Sequence, residues 1–68
     1  MAKARQERRA IEKAGWELVR MRGSHRIYRR GSVIVPFAYH DSVDLGRTAL
    51  TVVAREFGMS VDALRRLL

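Results

Sequence analysis

Three segments of β-strand character follow one another in the stretch WELVRMRGSHRIYRRGSVIVP, which covers residues 16–36. Residues 16–21 lean toward a β-strand, residues 25–30 alternate in the manner of a strand, and the short run at 33–35 is entirely β-branched. Turns containing Gly and Ser separate the segments at residues 22–24 and 31–32. Pro36 closes the third segment, which suits a strand at a sheet edge. The stretch therefore predicts a three-stranded antiparallel meander.

A helix is predicted on the N-terminal side of these strands. Residues 2–14 are mostly Ala, Arg, Lys, Glu and Gln, which favour helices, and Gly15 follows where a C-cap glycine belongs. The apolar face is weak, because only Ile11 on it is large. Such a helix is not stable alone, so we expect it to pack on the sheet.

Two more helices are predicted after a loop at residues 37–46. Leu50, Val53 and Phe57 recur at helical spacing within residues 47–57. Ser60 is a favourable N-cap for a last short helix at residues 61–68. We expect the aromatic residues of the chain to form most of the core: Trp16, Tyr28, Phe37 and Phe57. The predicted fold is one α+β domain over residues 1–68, in the order α-β-β-β-α-α.

Positive charge is concentrated in the first half of the chain. Residues 1–30 contain ten Lys or Arg against three Glu, whereas residues 31–68 contain four bases and four acids, so the whole net charge of +7 lies in the first half. Twelve of the fourteen bases are arginine, whose planar group forms paired hydrogen bonds with phosphate. This distribution favours a polyanionic partner: RNA, DNA, an anionic membrane or an acidic protein.

Composition excludes several other classes of protein. The chain has no cysteine, so it holds neither a disulfide nor a thiolate zinc site. No apolar run approaches the roughly 20 residues of a membrane span, and the basic N-terminus leads into no signal-peptide core. We therefore expect a cytoplasmic protein with no membrane partner.

His25 is the first candidate for chemistry, because histidine exchanges protons near neutral pH. Arg20, Arg22 and Arg26 lie close to it in sequence. Cleavage of an RNA backbone needs a base, an acid and cations for the developing charge, and this group offers such residue types. A contact between His25 and nucleic acid without catalysis is the alternative. Arg5 and Arg9 in the N-terminal helix are either further phosphate contacts or an ordinary solvated face.

His40 is the second histidine and precedes Asp41 in the predicted loop. It is either a second proton-transfer group or a residue of a turn. A metal site at His25 and His40 is not expected, because the spacing forms no histidine pair on a helix and no carboxylate cluster is near.

The chain resembles the HicA family, the small RNA-cleaving toxins of HicA/HicB toxin–antitoxin pairs. The resemblance rests on Gly15-Trp16, on Gly23-Ser24-His25 with Tyr28 three residues later, and on Val35-Pro36. Weaker matches continue through Leu45 and Thr48 to Gly58-Met59-Ser60 and Leu64.

The resemblance implies a fold similar to the double-stranded-RNA-binding domain, with His25 as the catalytic histidine. We therefore expect a ribosome-independent mRNA endonuclease without a metal or other cofactor, in which Arg20, Arg22 and Arg26 bind the phosphates of the mRNA. The resemblance also implies a HicB-like antitoxin that covers His25. The competing hypothesis is an RNA-binding module without catalysis. A small DNA-binding regulator is a third possibility, but no helix-turn-helix pair precedes the strands.

Overall fold

The computed structural model describes residues 2–23 and 25–68. Strands and helices follow one another in the order β1 (Ala2–Lys3), α1 (Ala4–Lys13), β2 (Glu17–Arg22), β3 (His25–Arg30), β4 (Val33–Phe37), β5 (Asp44–Leu45), α2 (Arg47–Glu56) and α3 (Val61–Leu67). The α+β class and the α-β-β-β-α-α order of the main elements are confirmed. This order is compatible with the predicted likeness to the double-stranded-RNA-binding domain.

β2, β3 and β4 form the predicted antiparallel meander, with β3 in the middle. Tyr28 of β3 lies opposite Leu18 of β2 and Val35 of β4. β4 continues past its predicted end through Pro36 to Phe37. An edge strand tolerates proline, because one side of its backbone needs no partner strand.

A β-bulge interrupts the pairing of β2 with β3. Leu18 lies opposite Tyr28 and Arg20 opposite Ile27, so Val19 is an extra residue in β2. Successive side chains of a strand point to opposite faces, and one inserted residue reverses that alternation for everything after it. The bulge therefore moves Arg20 and Arg22 to the face of the sheet opposite to the one they would otherwise occupy.

A second, two-stranded sheet joins the N-terminus to the loop before α2. Ala2 pairs with Leu45 and Lys3 with Asp44. The Lys3 Nζ also lies 2.9 Å from Asp44 Oδ1. The prediction of a helix from Ala2 was therefore wrong at its start, because pairing with β5 keeps Ala2 and Lys3 extended and α1 begins at Ala4.

The helices pack on one face of the three-stranded sheet, which carries Tyr28. Trp16, Tyr28, Phe37 and Phe57 are buried, as predicted. The rings of Trp16 and Phe57 meet edge-to-face with centroids 4.9 Å apart, and the Tyr28 ring lies 6.0 Å from that of Phe57. Phe57, at the end of α2, thus connects both parts of the aromatic core.

All three helices contain the buried apolar residues or the N-cap that the sequence predicted for them. Ile11 of α1 and Leu50 and Val53 of α2 are buried in the same core. Ser60 caps α3, since its Oγ accepts a hydrogen bond from the Ala63 amide at 3.0 Å. Within residues 2–23 and 25–68, no helix has the length and apolar character to cross a membrane.

The other face of the three-stranded sheet is exposed, and we call it the open face. Alternation along β3 places His25, Ile27 and Arg29 on it, because Tyr28 points to the helices. Ile34 and Pro36 of β4 share this face and are exposed. The open face therefore combines positive charge with an apolar centre.

Candidate active site

His25 is the first residue of β3 and its side chain is exposed on the open face. The turn before it contains Gly23, whose φ of 61° is in the left-handed region that favours glycine. Ser24, which we expect to shape this turn together with Gly23, lies outside the described residues. The turn ends β2 and presents His25 at the corner of the sheet.

Arg20 and Arg22 lie on the open face beside His25. Arg22 is opposite His25 in the register and Arg20 is opposite Ile27, and both arginines are exposed. Residues directly opposite each other on antiparallel strands share a face, with Cβ atoms about 4.5–5.5 Å apart. The bulge at Val19 places both arginines on this face. The structure therefore brings together three of the predicted site residues, Arg20, Arg22 and His25, through a feature that the sequence pattern did not reveal.

Arg26 points to the other face, toward the helical layer. Its Nη1 donates a hydrogen bond to Asp41 Oδ1 at 3.2 Å, and its side chain is largely buried. Met21 lies opposite Arg26 and shares that face. Arg26 is therefore separated from Arg20, Arg22 and His25 by the plane of the sheet, although it directly follows His25 in sequence.

Asp41 also binds Arg8 of α1. The Arg8 Nε lies 3.2 Å from Asp41 Oδ1, and its Nη2 lies 3.3 Å from Oδ2, which is a two-point contact. The hydrogen bond from Arg8 lowers the pKa of Asp41 below its usual value, partly offset by burial, and the charge of Arg26 acts in the same direction as Arg8. Asp41 is thus an ionised carboxylate that joins α1 to β3.

The same network continues to Glu12 and Tyr28. Arg8 Nη1 lies 3.4 Å from Glu12 Oε2, and the Tyr28 hydroxyl donates a 2.7 Å hydrogen bond to that oxygen. Burial and the bond to Glu12 raise the pKa of Tyr28. For Arg8, burial alone would lower the pKa, but Asp41 and Glu12 raise it above its ordinary value. The network ties α1 to the middle of the sheet with charge-assisted hydrogen bonds.

A cavity of about 460 Å³ opens between the β2–β3 turn and the loop after β4. Its lining residues are Met21, Gly23, Arg26, His40 and Asp41. His40 itself is exposed. The cavity is within the usual volume range of small-molecule sites. Because Met21 and Arg26 lie on the helical face, the cavity opens on that side of the sheet, whereas His25 lies on the open face.

Arg5 and Arg9 are exposed on α1. Because α1 packs on the helical side of the sheet, these two arginines belong to a different surface from His25. The backbone of Arg5 lies near the cavity, because its amide donates a 3.2 Å hydrogen bond to the carbonyl of Asp41, which lines the cavity. The predicted phosphate contacts therefore form two groups on opposite sides of the sheet.

A family model described as the HicA toxin of bacterial toxin-antitoxin systems matches residues 4–59 of the 68-residue chain. The chain belongs to the HicA toxin family. No curated protein and no solved structure matches it. Family membership gives this HicA chain the role of a toxin and implies an antitoxin partner. The match includes the whole three-stranded sheet, the cavity and α2.

Glu7 is a feature of this HicA chain that sequence reasoning missed. It lies in α1 with no exposed surface, and neither carboxylate oxygen has a hydrogen-bond partner among the described residues. Burial raises its pKa to about 7. From the sequence, Glu7 entered only the charge balance of residues 1–30, because a polar residue within a charged helix gives no sign of facing the core.

The described residues of the HicA chain contain no group of three or more His, Asp or Glu side chains arranged to hold a metal ion. The two histidines lie on different segments, one on β3 and one in the loop after β4. What the site offers chemically is proton exchange by imidazole together with several guanidinium groups.

Proposed function

We propose that this HicA toxin is a ribosome-independent endoribonuclease that cleaves mRNA, with His25 as a catalytic acid or base. The observation that supports the proposal most directly is the grouping of His25 with Arg20 and Arg22 on the open face. An imidazole beside two guanidinium groups can exchange a proton with a ribose while the cations hold the phosphate.

The reaction is the transfer of the phosphodiester to the neighbouring 2′-hydroxyl. A base removes the proton of the 2′-oxygen, which forms a bond to phosphorus, and the bond from phosphorus to the 5′-oxygen breaks as an acid protonates that oxygen. Negative charge grows on the phosphoryl oxygens in the transition state. Arg20 and Arg22 supply compensating positive charge, so the proposed mechanism does not call on a metal ion.

The test is cleavage of end-labelled RNA by purified toxin in the presence of EDTA, with products separated by length on a gel. We expect His25→Ala to cleave about 10²–10⁴-fold more slowly, which is the usual cost of losing one acid–base group. Ser32→Ala is the matched control, because it alters an exposed turn residue at the other end of the same sheet.

Circular dichroism and binding to RNA with a 2′-deoxy cleavage site show whether each variant is folded and still binds. A folded His25→Ala variant that cleaves at the unaltered rate would contradict the role of His25. Binding without any cleavage by the unaltered chain would favour the alternative function, an RNA-binding module.

We further propose that the antitoxin is HicB-like and covers the open face. The exposed basic residues around His25 fit acidic groups of a protein partner, and Ile27, Ile34 and Pro36 provide the apolar centre that a stable interface needs. The antitoxin should displace RNA and protect His25 from modification by diethylpyrocarbonate. A complex that still holds RNA and leaves His25 reactive would place the partner elsewhere.

A further inference from the structure

The open face of the sheet is divided into a basic column and an apolar column. Arg20 and Arg22 form the basic column on β2, and both are exposed. Ile34 and Pro36 of β4 form the apolar column and are exposed as well. Ile27 of β3 is half-buried and lies opposite Arg20 on one side and Pro36 on the other. These three residues therefore form one row across all three strands.

This row lies next to His25 on the same face. His25 and Ile27 are two residues apart on β3, so their side chains are about 7 Å apart along the strand. Neighbouring strands are about 4.8 Å apart, so the row spans about 10 Å from β2 to β4. A nucleotide that lies across the row can place its phosphate on the basic column and its base on the apolar column.

The positive charge of the open face ends one row further from His25. Arg29 lies opposite Glu17, and its Nη2 is 3.0 Å from Glu17 Oε1, so these two charges compensate each other. Ile34 is the residue opposite Arg29 on β4. Within residues 2–23 and 25–68, Arg20 and Arg22 form no salt bridge. Both guanidinium groups are therefore available to an anion close to His25.

We propose that Ile27 and Pro36 bind the base of the nucleotide next to the scissile phosphate, and that Arg20 binds the phosphate of that nucleotide. The inference rests on the proposed endonuclease function and names the form of RNA that it acts on. The flat face of a base packs on apolar side chains through many small dispersion contacts, while a guanidinium forms paired hydrogen bonds with phosphate. Only an unstacked base offers that face, so the substrate is single-stranded RNA.

Double-stranded RNA does not fit this surface. Proteins bind an RNA duplex mainly through its phosphates and 2′-hydroxyl groups, because the faces of its bases are stacked inside the helix. On the open face a duplex would cover Ile27, Ile34 and Pro36 with charged and hydroxyl groups, which gain nothing from apolar side chains. The element order is compatible with a double-stranded-RNA-binding domain, but this face has the composition of a single-strand site.

The experiment measures binding by fluorescence polarisation of labelled RNA with a 2′-deoxy cleavage site. The RNA is offered complete, without the base at each of the two nucleotides that flank the cleavage site in turn, and as a duplex with its complement. The proteins are the unaltered toxin, Pro36→Ala and Ile27→Ala. Val52→Ala is the matched control, because Val52 is an exposed apolar residue of α2 outside the open face.

We expect loss of one flanking base to weaken binding to the unaltered toxin about tenfold. Pro36→Ala and Ile27→Ala should weaken binding of the complete RNA by a similar factor and should bind the base-lacking RNA no more weakly than the unaltered toxin does. Val52→Ala should bind every RNA as the unaltered toxin does. The duplex should bind at least about tenfold more weakly than the single strand.

Two results would overturn the proposal. One is a cost of base removal that is the same in Pro36→Ala as in the unaltered toxin, and the other is a duplex that binds as tightly as the single strand. Circular dichroism shows whether the variants are folded. Pro36→Ala alone decides the matter if the half-buried Ile27→Ala does not fold, since Pro36 is exposed.

Failure of the proposed function has a different signature. In that case the unaltered toxin cleaves no RNA, and no cleavage site is defined. Comparison of single-stranded with duplex RNA, and of Pro36→Ala with Val52→Ala, still tests the base-binding subsite without a cleavage site. Cleavage together with unchanged RNA affinity in Pro36→Ala would keep the endonuclease function and overturn the subsite, leaving the apolar column to the antitoxin.

Discussion

Glu7 is a carboxyl group without exposed surface in a protein whose stability depends on a thin core. Its raised pKa of about 7 means that the unfolded chain ionises at lower pH than the folded one. Stability from this residue is therefore fully present below the unfolded value, near 4.5, and is lost as the pH rises toward 7. The loss amounts to about 3 kcal/mol at pH 8.

We expect Glu7→Met to raise the free energy of unfolding at pH 8 by up to about 3 kcal/mol, with a smaller gain at pH 4.5. The exposed Glu56→Gln serves as the control for removing an acidic group. The measurement is urea denaturation at both pH values. An equal gain for Glu7→Met at the two pH values would show that Glu7 does not ionise differently in the folded state.

Asp41 acts on stability in the opposite direction. Its pKa is lowered by Arg8, so its contribution is present above the unfolded value and is lost as the pH falls through the folded one. The opposite pH dependences of Glu7 and Asp41 predict that the free energy of unfolding of the toxin is largest in mildly acidic solution. Such a maximum should move toward neutral pH in Glu7→Met.

At the residue scale, the sequence predicted His25 and its arginine neighbours as site residues but did not predict their arrangement. The motif places Arg26 next to His25, yet strand alternation sends these two side chains to opposite faces. The partner of Arg26 is Asp41, fifteen residues away in the chain. Contacts of this kind depend on loop closure, and residue spacing does not encode them.

At the scale of elements, the three main strands and three helices were predictable because each has a clear periodicity or cap. β1 and β5 were not, since two paired residues are too few to show a repeat. The bulge at Val19 was also missed, although it decides which face Arg20 and Arg22 occupy. A bulge is set by the partner strand as well as by its own sequence.

The cap of α3 gives a prediction at this scale. Ser60→Ala removes the acceptor of the Ala63 amide and should lower the free energy of unfolding by about 1 kcal/mol. Ser60→Asp should keep most of the stability, because aspartate accepts the same hydrogen bond and favours the positive end of the helix. Thermal denaturation measures both, and equal losses in the two variants would contradict the capping role.

At the scale of the whole molecule, the net charge of +7 includes predicted phosphate contacts on two surfaces, Arg20 and Arg22 on the open face and Arg5 and Arg9 on α1. If about five phosphates of single-stranded RNA are neutralised, the logarithm of affinity should fall with the logarithm of salt concentration with a slope of about −3.5. We expect Arg20→Gln with Arg22→Gln to flatten this slope by about 1.4, because each lost phosphate contact removes about 0.7.

The matched control is Arg65→Gln with Arg66→Gln, which removes the same charge from α3. Arg5→Gln with Arg9→Gln should flatten the slope only for RNA long enough to pass from the open face to α1. Equal slopes for the Arg20/Arg22 and Arg65/Arg66 double variants would mean that RNA affinity depends on the net charge of the toxin and not on the open face.

The order β2-β3-β4 leaves β2 and β4 as the outer strands of the sheet. Met21 of β2 is 53% exposed and Ile34 of β4 is 61% exposed. Both outer strands therefore present apolar side chains beside backbone groups that have no partner strand. Outer strands of this kind join with copies of themselves and aggregate unless charges intervene. Arg20 and Arg22 are such charges on β2, so we expect the residues proposed to bind RNA to oppose this association as well. Lysine at both positions retains this protection while removing the paired hydrogen bonds to phosphate, and so separates a loss of toxicity caused by weaker RNA binding from one caused by precipitation.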